Sequence, residues 1–247
     1  MSARPARAMV LAAGLGTRMG AISDTVPKPL VPVAGKPLIA HALERLERNG
    51  VAEIVVNTHH LAAQIETFLA THMDWPGAPE IRISREEERL ETGGGVRRAL
   101  PWLGDDAFYV LNSDVVIVEQ GTPALARLAE AWNGQAMDAL LLLCPLARTA
   151  GYEGAGDFFC HEDGRLGRRG RARAAPFVFT GTQILHPRLF ADAPAGAYSL
   201  NRHYDEAILA GRLFGLVHRG HMLHVGSPAA LAAAERCLAG EGRGDGR

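Results

Sequence analysis

The sequence predicts an α/β protein with three layers, in which helices cover both faces of a mostly parallel sheet that carries a small antiparallel insertion. Over the first 143 residues, short apolar runs alternate with longer helical patterns, which is typical of βαβ units. After Cys144 the segments become short and strand-like, with turn residues between them. A chain of 247 residues that is 47% hydrophobic is large enough for one ordinary domain of this class.

The elements of the first part follow from the alternation of apolar runs and helical periodicity. The expected strands are residues 8–12, 53–57, 81–84, 108–111 and 139–143. The expected helices are residues 38–48, 61–70, 95–100 and 123–132. Because parallel strands need helical crossovers, this order predicts a sheet buried on both faces.

The second part has a different texture. The antiparallel insertion is expected at residues 156–160, 165–168 and 177–185, separated by turn residues such as those at 162–164. Then follow a helix at 200–210, strands at 213–217 and 222–225, and a helix at 228–238 that begins with proline. Residues 240–247 are glycine-rich and charged, so we expect a disordered tail after a single domain that spans residues 1–239.

The composition excludes several classes of protein. The net charge of -1 provides no basic excess for a nucleic-acid backbone, and no run approaches the roughly 20 apolar residues that span a bilayer. The three cysteines form no Cys-x-x-Cys pair, which argues against a disulfide framework and a zinc site and favours a reducing cytoplasm. Since no assembly module is evident, we expect a monomer or a weak homo-oligomer.

A glycine-rich loop with two nearby cations is the strongest local signal. Residues 11–19 (LAAGLGTRM) follow the first strand, and residues 27–30 (PKPL) come shortly after. Small residues let backbone N–H groups approach an anion, and Arg18 and Lys28 add positive charge. The loop matches neither the dinucleotide fingerprint G-x-G-x-x-G nor the P-loop. It therefore predicts a different kind of phosphate site.

Two further signals follow other strands. Asn112-Ser113-Asp114 ends an apolar strand, where an aspartate either holds a hard cation against phosphate or caps a turn; the neighbouring phosphate loop favours the cation for Asp114. Residues 90–95 (LETGGG) lead into a helix. Their glycines either give backbone access to a flat base or merely permit the helix to begin.

Together, residues 11–19, 27–30, 35–37 (GKP) and 112–114 resemble the sugar-phosphate nucleotidyltransferase family, in order over nearly the whole chain. The resemblance implies a Rossmann-like nucleotidyltransferase fold that joins a nucleoside triphosphate to a sugar 1-phosphate with Mg²⁺, or Mn²⁺, as the cofactor. Residues 90–95 look most like the branch with the N-acetylmuramate 1-phosphate uridylyltransferases. This branch implies UTP and N-acetylmuramic acid 1-phosphate in peptidoglycan recycling, with mannose-1-phosphate guanylyl transfer from GTP as the alternative.

The resemblance also implies roles for individual residues. Residues 1–143 would form the nucleotide-binding half and residues 144–239 the sugar-phosphate-binding half. Catalysis is implied for Arg18, Lys28 and Asp114, with Asp114 as metal ligand. Nucleotide binding is implied for Leu11, Ala12, Ala13, Gly14, Gly16, Thr17, Arg18, Glu91, Thr92, Gly93 and Asn112. Sugar-phosphate binding is implied for Lys28, Gly156, Asp157, Thr180 and Gly181.

The sequence departs from the family at one position. Where the family has a second metal aspartate, this chain has His224, which either binds the metal or only fills the space, and imidazole is a poorer Mg²⁺ ligand than carboxylate. A catalytically weakened nucleotide or sugar-phosphate sensor is therefore an alternative, as is cytidylyl transfer to an alcohol phosphate. The five arginines within residues 165–173 are expected in a solvated loop, with an anion or nucleic-acid site as the less favoured alternative.

Overall fold

Fourteen strands and seven helices form within residues 4–72 and 77–241, the part of the chain that this computed structural model describes. The strands are β1 (Arg7–Leu11), β2 (Pro32–Val33), β3 (Lys36–Pro37), β4 (Glu53–Thr58), β5 (Glu80–Arg85), β6 (Phe108–Asn112), β7 (Val115–Val118), β8 (Ala139–Pro145), β9 (Thr149–Ala150), β10 (Phe158–Cys160), β11 (Leu166–Arg168), β12 (Phe177–Leu185), β13 (Leu213–Val217) and β14 (His221–His224). The helices are α1 (Ile22–Thr25), α2 (Leu38–Arg48), α3 (Ala62–His72), α4 (Glu91–Leu103), α5 (Ala124–Ala131), α6 (Asn201–Leu209) and α7 (Pro228–Glu241).

Nine strands build the main sheet. Strands β5, β4, β1 and β6 pair in parallel in that order, and β8 pairs in parallel with β13. Strand β12 lies antiparallel between β6 and β8, and the short antiparallel pair β10–β11 joins the beginning of β12. The predicted mostly parallel sheet with a small antiparallel insertion is confirmed.

Successive side chains along the strands point to opposite faces of the main sheet and pack into two hydrophobic cores, one on each face. In β1, Ala8 and Val10 face one core and Met9 faces the other. The first core is closed by buried residues of α2, α3 and α5, and the second by buried residues of α4 and α6. The three-layer αβα arrangement therefore follows directly from these alternating apolar strands.

A smaller sheet closes one side of the fold. Strand β14 lies between β7, to which it is antiparallel, and β9, to which it is parallel, and α7 packs nearby. Leu223 and Val225 share a third core with Met19, Val31 and Ala234. This core ties the end of the chain to the segment that follows β1.

Several boundaries differ from the sequence expectations. The helix expected at 95–100 is α4, which begins at Glu91 and therefore contains all three glycines of the run. The strand β7 directly after Asp114 was missed. Helix α7 extends to Glu241, past the expected end at residue 238, so it contains the first residues of the expected tail; residues 242–247 of that tail lie outside the described part of the chain.

Candidate active site

A cleft of about 310 Å³ opens at the carboxyl ends of β1, β4 and β6, beside the beginning of α4. Ligands of open α/β sheets bind at this edge, and the volume suits a small ligand. The residues that line the cleft are Leu11, Ala13, Gly14, Leu15, Gly16, Thr17, Arg18, Lys28, Pro29, Asn57, Arg89, Glu91, Thr92, Asn112, Ser113, Asp114 and Gly226. The structure thus brings the three sequence signals together.

The loop after β1 is held open by a left-handed glycine. Gly16 has φ +66°, and a Cβ atom there would lie 2.8 Å from Ser23 Oγ. The Ser23 hydroxyl donates to the Gly16 carbonyl oxygen at 2.6 Å, and that carbonyl also accepts the Met19 N–H at 2.8 Å. These bonds fix the carbonyl side of the loop, leaving its other face along the cleft.

Lys28 and Asp114 meet in the cleft. Lys28 is buried within a 3₁₀ turn, and its Nζ lies 2.5 Å from Asp114 Oδ2. Burial alone would raise the pKa of Asp114, but the contacts with His224 and Lys28 outweigh burial and hold that pKa well below its usual range. Asp114 is therefore a carboxylate throughout the neutral range, which is the form that binds a cation.

His224 lies against the same carboxylate. Its Nε2 is 3.7 Å from Asp114 Oδ2, and its Nδ1 is 3.3 Å from the carbonyl oxygen of Gly151. Both ring nitrogens therefore face oxygen atoms, and an Nε2–H would point toward the Asp114 carboxylate, which agrees with the contribution of His224 to the lowered pKa of Asp114. A Cβ atom on Gly226 would come within 3.2 Å of the Arg18 guanidinium, so this glycine lets Arg18 pack beside the turn after β14.

A divalent cation fits this donor set only with help from substrate. Among the described residues, no group of three or more His, Cys, Asp or Glu side chains is placed to hold a metal ion. Asp114 supplies carboxylate oxygen and His224 supplies imidazole nitrogen. Because Mg²⁺-type sites in phosphoryl transfer combine one or two carboxylates with substrate phosphates and water, the remaining ligands would come from the nucleotide.

The glycine run of α4 is shaped by the segment that precedes α6. The N–H groups of Gly93 and Gly94 donate to the Tyr198 carbonyl at 2.8 and 3.2 Å. A Cβ on Gly93 would overlap the Tyr198 ring, and one on Gly94 would overlap the Gly196 carbonyl oxygen. The glycine run therefore permits close packing between α4 and the segment before α6. The residues of α4 that line the cleft are Glu91 and Thr92.

The residues predicted for the sugar phosphate lie outside the cleft lining, apart from Lys28. The Asp157 carboxylate accepts the Tyr152 hydroxyl and the Phe179 N–H, both at 2.9 Å. Thr180 is buried and donates its hydroxyl to the Leu142 carbonyl oxygen. Gly156 and Gly181 have positive φ, and a Cβ on Gly181 would come within 2.7 Å of the Asn112 side chain. Their sugar-binding role stays a prediction.

Four residues that sequence reasoning missed contribute to the site. Asn57 and Arg89 line the cleft, Glu86 is buried behind it, and Ser23 braces the loop after β1. Asn57 ends an apolar strand, as Asn112 does, and that placement was a usable signal. The predicted nucleotide residues Ala12 and Gly93 are absent from the cleft lining.

The arginine-rich segment is partly paired on the surface. Arg165 and Arg168 form ion pairs with Asp163 and Asp205 at 2.8 and 2.7 Å, and the Arg168 guanidinium lies over the Phe158 ring. Arg171 and Arg173 are exposed. These contacts agree with a solvated face.

The comparisons with known proteins agree with this geometry. Residues 8–245 match the MobA-like NTP transferase domain. The chain is 40% identical to the N-acetylmuramate alpha-1-phosphate uridylyltransferase of Caulobacter vibrioides, over 97% of this chain and 99% of that protein. It is 35% identical to the enzyme of the same name from Neisseria meningitidis serogroup B, over 95% and 98% of the two chains.

A solved structure described as UDP-glucose pyrophosphorylase complexed with UDP-glucose superposes with a TM-score of 0.79 at 17% identity, covering 95% of this chain and 98% of that one. That likeness confirms the Rossmann-like fold. Since the family model and the two relatives span nearly the whole chain, they establish its membership. The chain belongs to the MobA-like NTP transferase domain family, and the sugar-phosphate nucleotidyltransferase class predicted from its motifs is confirmed.

Proposed function

We propose that the protein transfers a uridylyl group from UTP to N-acetylmuramic acid 1-phosphate in the cytoplasm, with Mg²⁺ as the cofactor. The observation that carries this proposal is the convergence of the glycine loop, Lys28 and Asp114 in one cleft. The substrate pair is supported by the full-length similarity to two N-acetylmuramate alpha-1-phosphate uridylyltransferases. The alignments cover 99% and 98% of these two relatives, so no large segment of either one is unmatched.

The cleft provides positive charge where a triphosphate needs it. Backbone N–H groups of the loop after β1 would bind phosphate oxygens, and Arg18 and Lys28 would neutralise their charge. Asp114 would hold Mg²⁺, which would supply further charge neutralisation for the reacting phosphates. His224 lies close enough to Asp114 to orient that carboxylate.

In the proposed reaction, an oxygen of the sugar phosphate attacks the α-phosphorus of UTP in line. The bond from the α-phosphorus to the bridging oxygen breaks, and pyrophosphate leaves with the electron pair. A phosphate monoester loses its second proton near pH ~6, so the nucleophile is already ionised and no side chain needs to act as a general base. The residues of the cleft therefore act by positioning two polyanions and stabilising charge.

The experiment is pyrophosphate release from purified protein with Mg²⁺, using UTP, GTP, CTP and dTTP against four sugar 1-phosphates: N-acetylmuramic acid, mannose, N-acetylglucosamine and glucose. We expect the fastest turnover with UTP and N-acetylmuramic acid 1-phosphate. Preference for GTP with mannose 1-phosphate would replace the proposed substrates. Binding of nucleotide without turnover of any pair, with Mn²⁺ also tested, would make the protein a sensor.

A further inference from the structure

A chain of buried hydrogen bonds, which includes the cleft residue Asn57, runs from the loop after β1 to the loop before α4. The Ala12 N–H donates to Asn57 Oδ1 at 2.8 Å, and Asn57 Nδ2 donates to Glu86 Oε1 at 2.8 Å. The second oxygen of Glu86, Oε2, accepts the Leu90 N–H at 2.8 Å. Asn57 and Glu86 are 2% and 3% exposed, so water does not compete for these bonds.

The surroundings are built to accommodate this chain of bonds. A Cβ atom on Gly95 would lie 3.0 Å from both Asn57 Nδ2 and Glu86 Oε1, so a larger residue there would force the pair or α4 to shift by a few tenths of an ångström. Among the described contacts, Glu86 is held by an amide and a backbone N–H, without a lysine or arginine partner. Burying a carboxylate costs free energy, and that cost rises if either donor moves out of hydrogen-bonding distance. The two bonds therefore favour one fixed geometry.

The two loops that the bonds connect both contribute lining residues to the cleft. Ala12 precedes Ala13, Gly14 and Gly16 of the glycine loop, and Leu90 lies between Arg89 and Glu91. We propose that the glycine loop and the Arg89–Glu91 segment form the two ends of the site, and that Asn57 and Glu86 are positioning residues that hold these ends at one fixed spacing, so that a nucleoside triphosphate is bound as a single unit.

A fixed spacing between the two ends affects the binding affinity for an intact nucleoside triphosphate more than the affinity for its fragments. A ligand that engages both ends gains from their fixed spacing, because the second contact is made without further loss of freedom. A ligand that engages one end gains nothing from the spacing. Removing these hydrogen bonds should therefore weaken the binding of a nucleoside triphosphate much more than the binding of a nucleoside or an inorganic polyphosphate alone.

The test measures dissociation constants for UTP, uridine and inorganic tripolyphosphate in Mg²⁺, by calorimetry for UTP and by NMR titration for the weak fragments. For Asn57→Ala we expect UTP affinity to fall about tenfold, the effect of losing roughly one buried hydrogen bond. The two fragments should each change less than threefold. Equal losses for all three ligands, or an unchanged UTP affinity, would overturn the proposal.

A matched pair of substitutions tests the bonds themselves. In E86Q, the new amide nitrogen is a donor and must face either Asn57 Nδ2 or the Leu90 N–H, which are donors too. One of the two hydrogen bonds is therefore lost in either orientation, and UTP affinity should fall. In N57D/E86Q the donor and acceptor are exchanged between the two positions, so the three bonds can form again with one negative charge. The double variant should bind UTP more tightly than either E86Q or N57D; binding no tighter than that of the better single variant would refute the proposal. These variants also decide it if Asn57→Ala fails to fold.

The control is Asn49→Ala. Asn49 Nδ2 donates to the Tyr109 hydroxyl at 3.0 Å, near the amino ends of the strands and away from the cleft. The substitution removes a part-buried amide hydrogen bond between two elements without touching the cleft, so UTP affinity should stay within twofold. The inference rests on the proposed function only in its choice of UTP as the probe. If the wild type binds another nucleoside triphosphate more tightly, that triphosphate replaces UTP in the test. A failed proposed function would appear as absent turnover by the wild type, whereas these binding constants alone decide the inference.

Discussion

Among the charged residues that line the cleft, Lys28 and Asp114 lie 2.5 Å apart. We predict that Asp114→Asn lowers turnover by about 10²-fold or more, because it removes the charge that holds the cation while preserving the size of the side chain. Steady-state pyrophosphate release measures this effect. The control is Glu44→Gln, which removes the carboxylate paired with Lys36 at 2.7 Å outside the cleft and should keep turnover near the wild-type value. Turnover by Asp114→Asn within threefold of wild type would refute the metal assignment.

Gly16 provides a second test at single-residue scale. Its φ of +66° costs an alanine about 1–2 kcal/mol, and the added Cβ would lie 2.8 Å from Ser23 Oγ and 3.0 Å from Lys28 Cβ. Gly16→Ala should therefore lower the free energy of unfolding by about 1–3 kcal/mol. Urea denaturation measures it. Gly14→Ala is the matched control for stability, because a Cβ there meets nothing within 4 Å; equal stability of the two variants would contradict this account.

The sequence predicts some site residues and not others for a physical reason. Arg18, Lys28 and Asp114 are charged residues in recognisable motifs, so their chemistry is visible in the residue types alone. Asn57 and Glu86 act on backbone N–H groups 45 and 4 residues away, and an amide or a glutamate gives no sign of such a partner. The position of Asn57 at a strand end was a usable signal for the cleft, but the bonds that Asn57 and Glu86 make are visible only in the folded structure.

At the scale of an element, α4 contradicts helix propensity. Alanine in place of a helical glycine normally stabilises by about 0.5–1 kcal/mol. Gly93→Ala should instead destabilise, because the added Cβ would overlap the Tyr198 ring and lie 2.9 Å from the Tyr198 carbonyl oxygen. Thermal denaturation should show a lower Tm. Gly240→Ala in α7 is the control, since a Cβ there meets nothing within 4 Å and should leave Tm equal or higher. A raised Tm for Gly93→Ala would disprove the packing argument.

The same helix explains why its boundary was predicted four residues late. Three consecutive glycines read as a turn when propensity alone is considered, yet tertiary packing against the Tyr198 segment makes glycine the residue required there. Strand β7 was missed for another reason. It follows β6 after only two turn residues, and its partner β14 lies more than a hundred residues later in the chain.

Across the whole molecule, partly and fully buried histidines link stability to pH. Burial lowers the pKa of His41, His203 and His218, despite partners that raise it. A histidine whose pKa is lower in the folded state contributes stability that is complete above about pH 6.5 and is lost as the pH falls. The free energy of unfolding should therefore decrease from pH 7 to pH 5. The lowered pKa of Asp114 adds a further loss only below about pH 4.

Urea denaturation at pH 7, 6 and 5 measures this dependence. His218→Gln is the informative variant, because a glutamine amide can still donate to the Val118 carbonyl that His218 Nε2 contacts at 2.9 Å, yet it does not titrate. We expect a shallower decrease with pH in this variant. A decrease identical to that of the wild type would remove His218 from the account, and stability that rises on acidification would contradict it entirely.

Strand β12 belongs to the second predicted half but lies between β6 and β8 of the first. On the ribosome, β6 and β8 are therefore complete while the strand that separates them has not been made. Synthesis from Pro145 to Leu185 takes roughly 2–8 s at about 5–20 residues per second. During that interval the edges of β6 and β8 that will pair with β12 are open. A fragment that ends near residue 143 would keep these open strand edges permanently, and such edges favour aggregation.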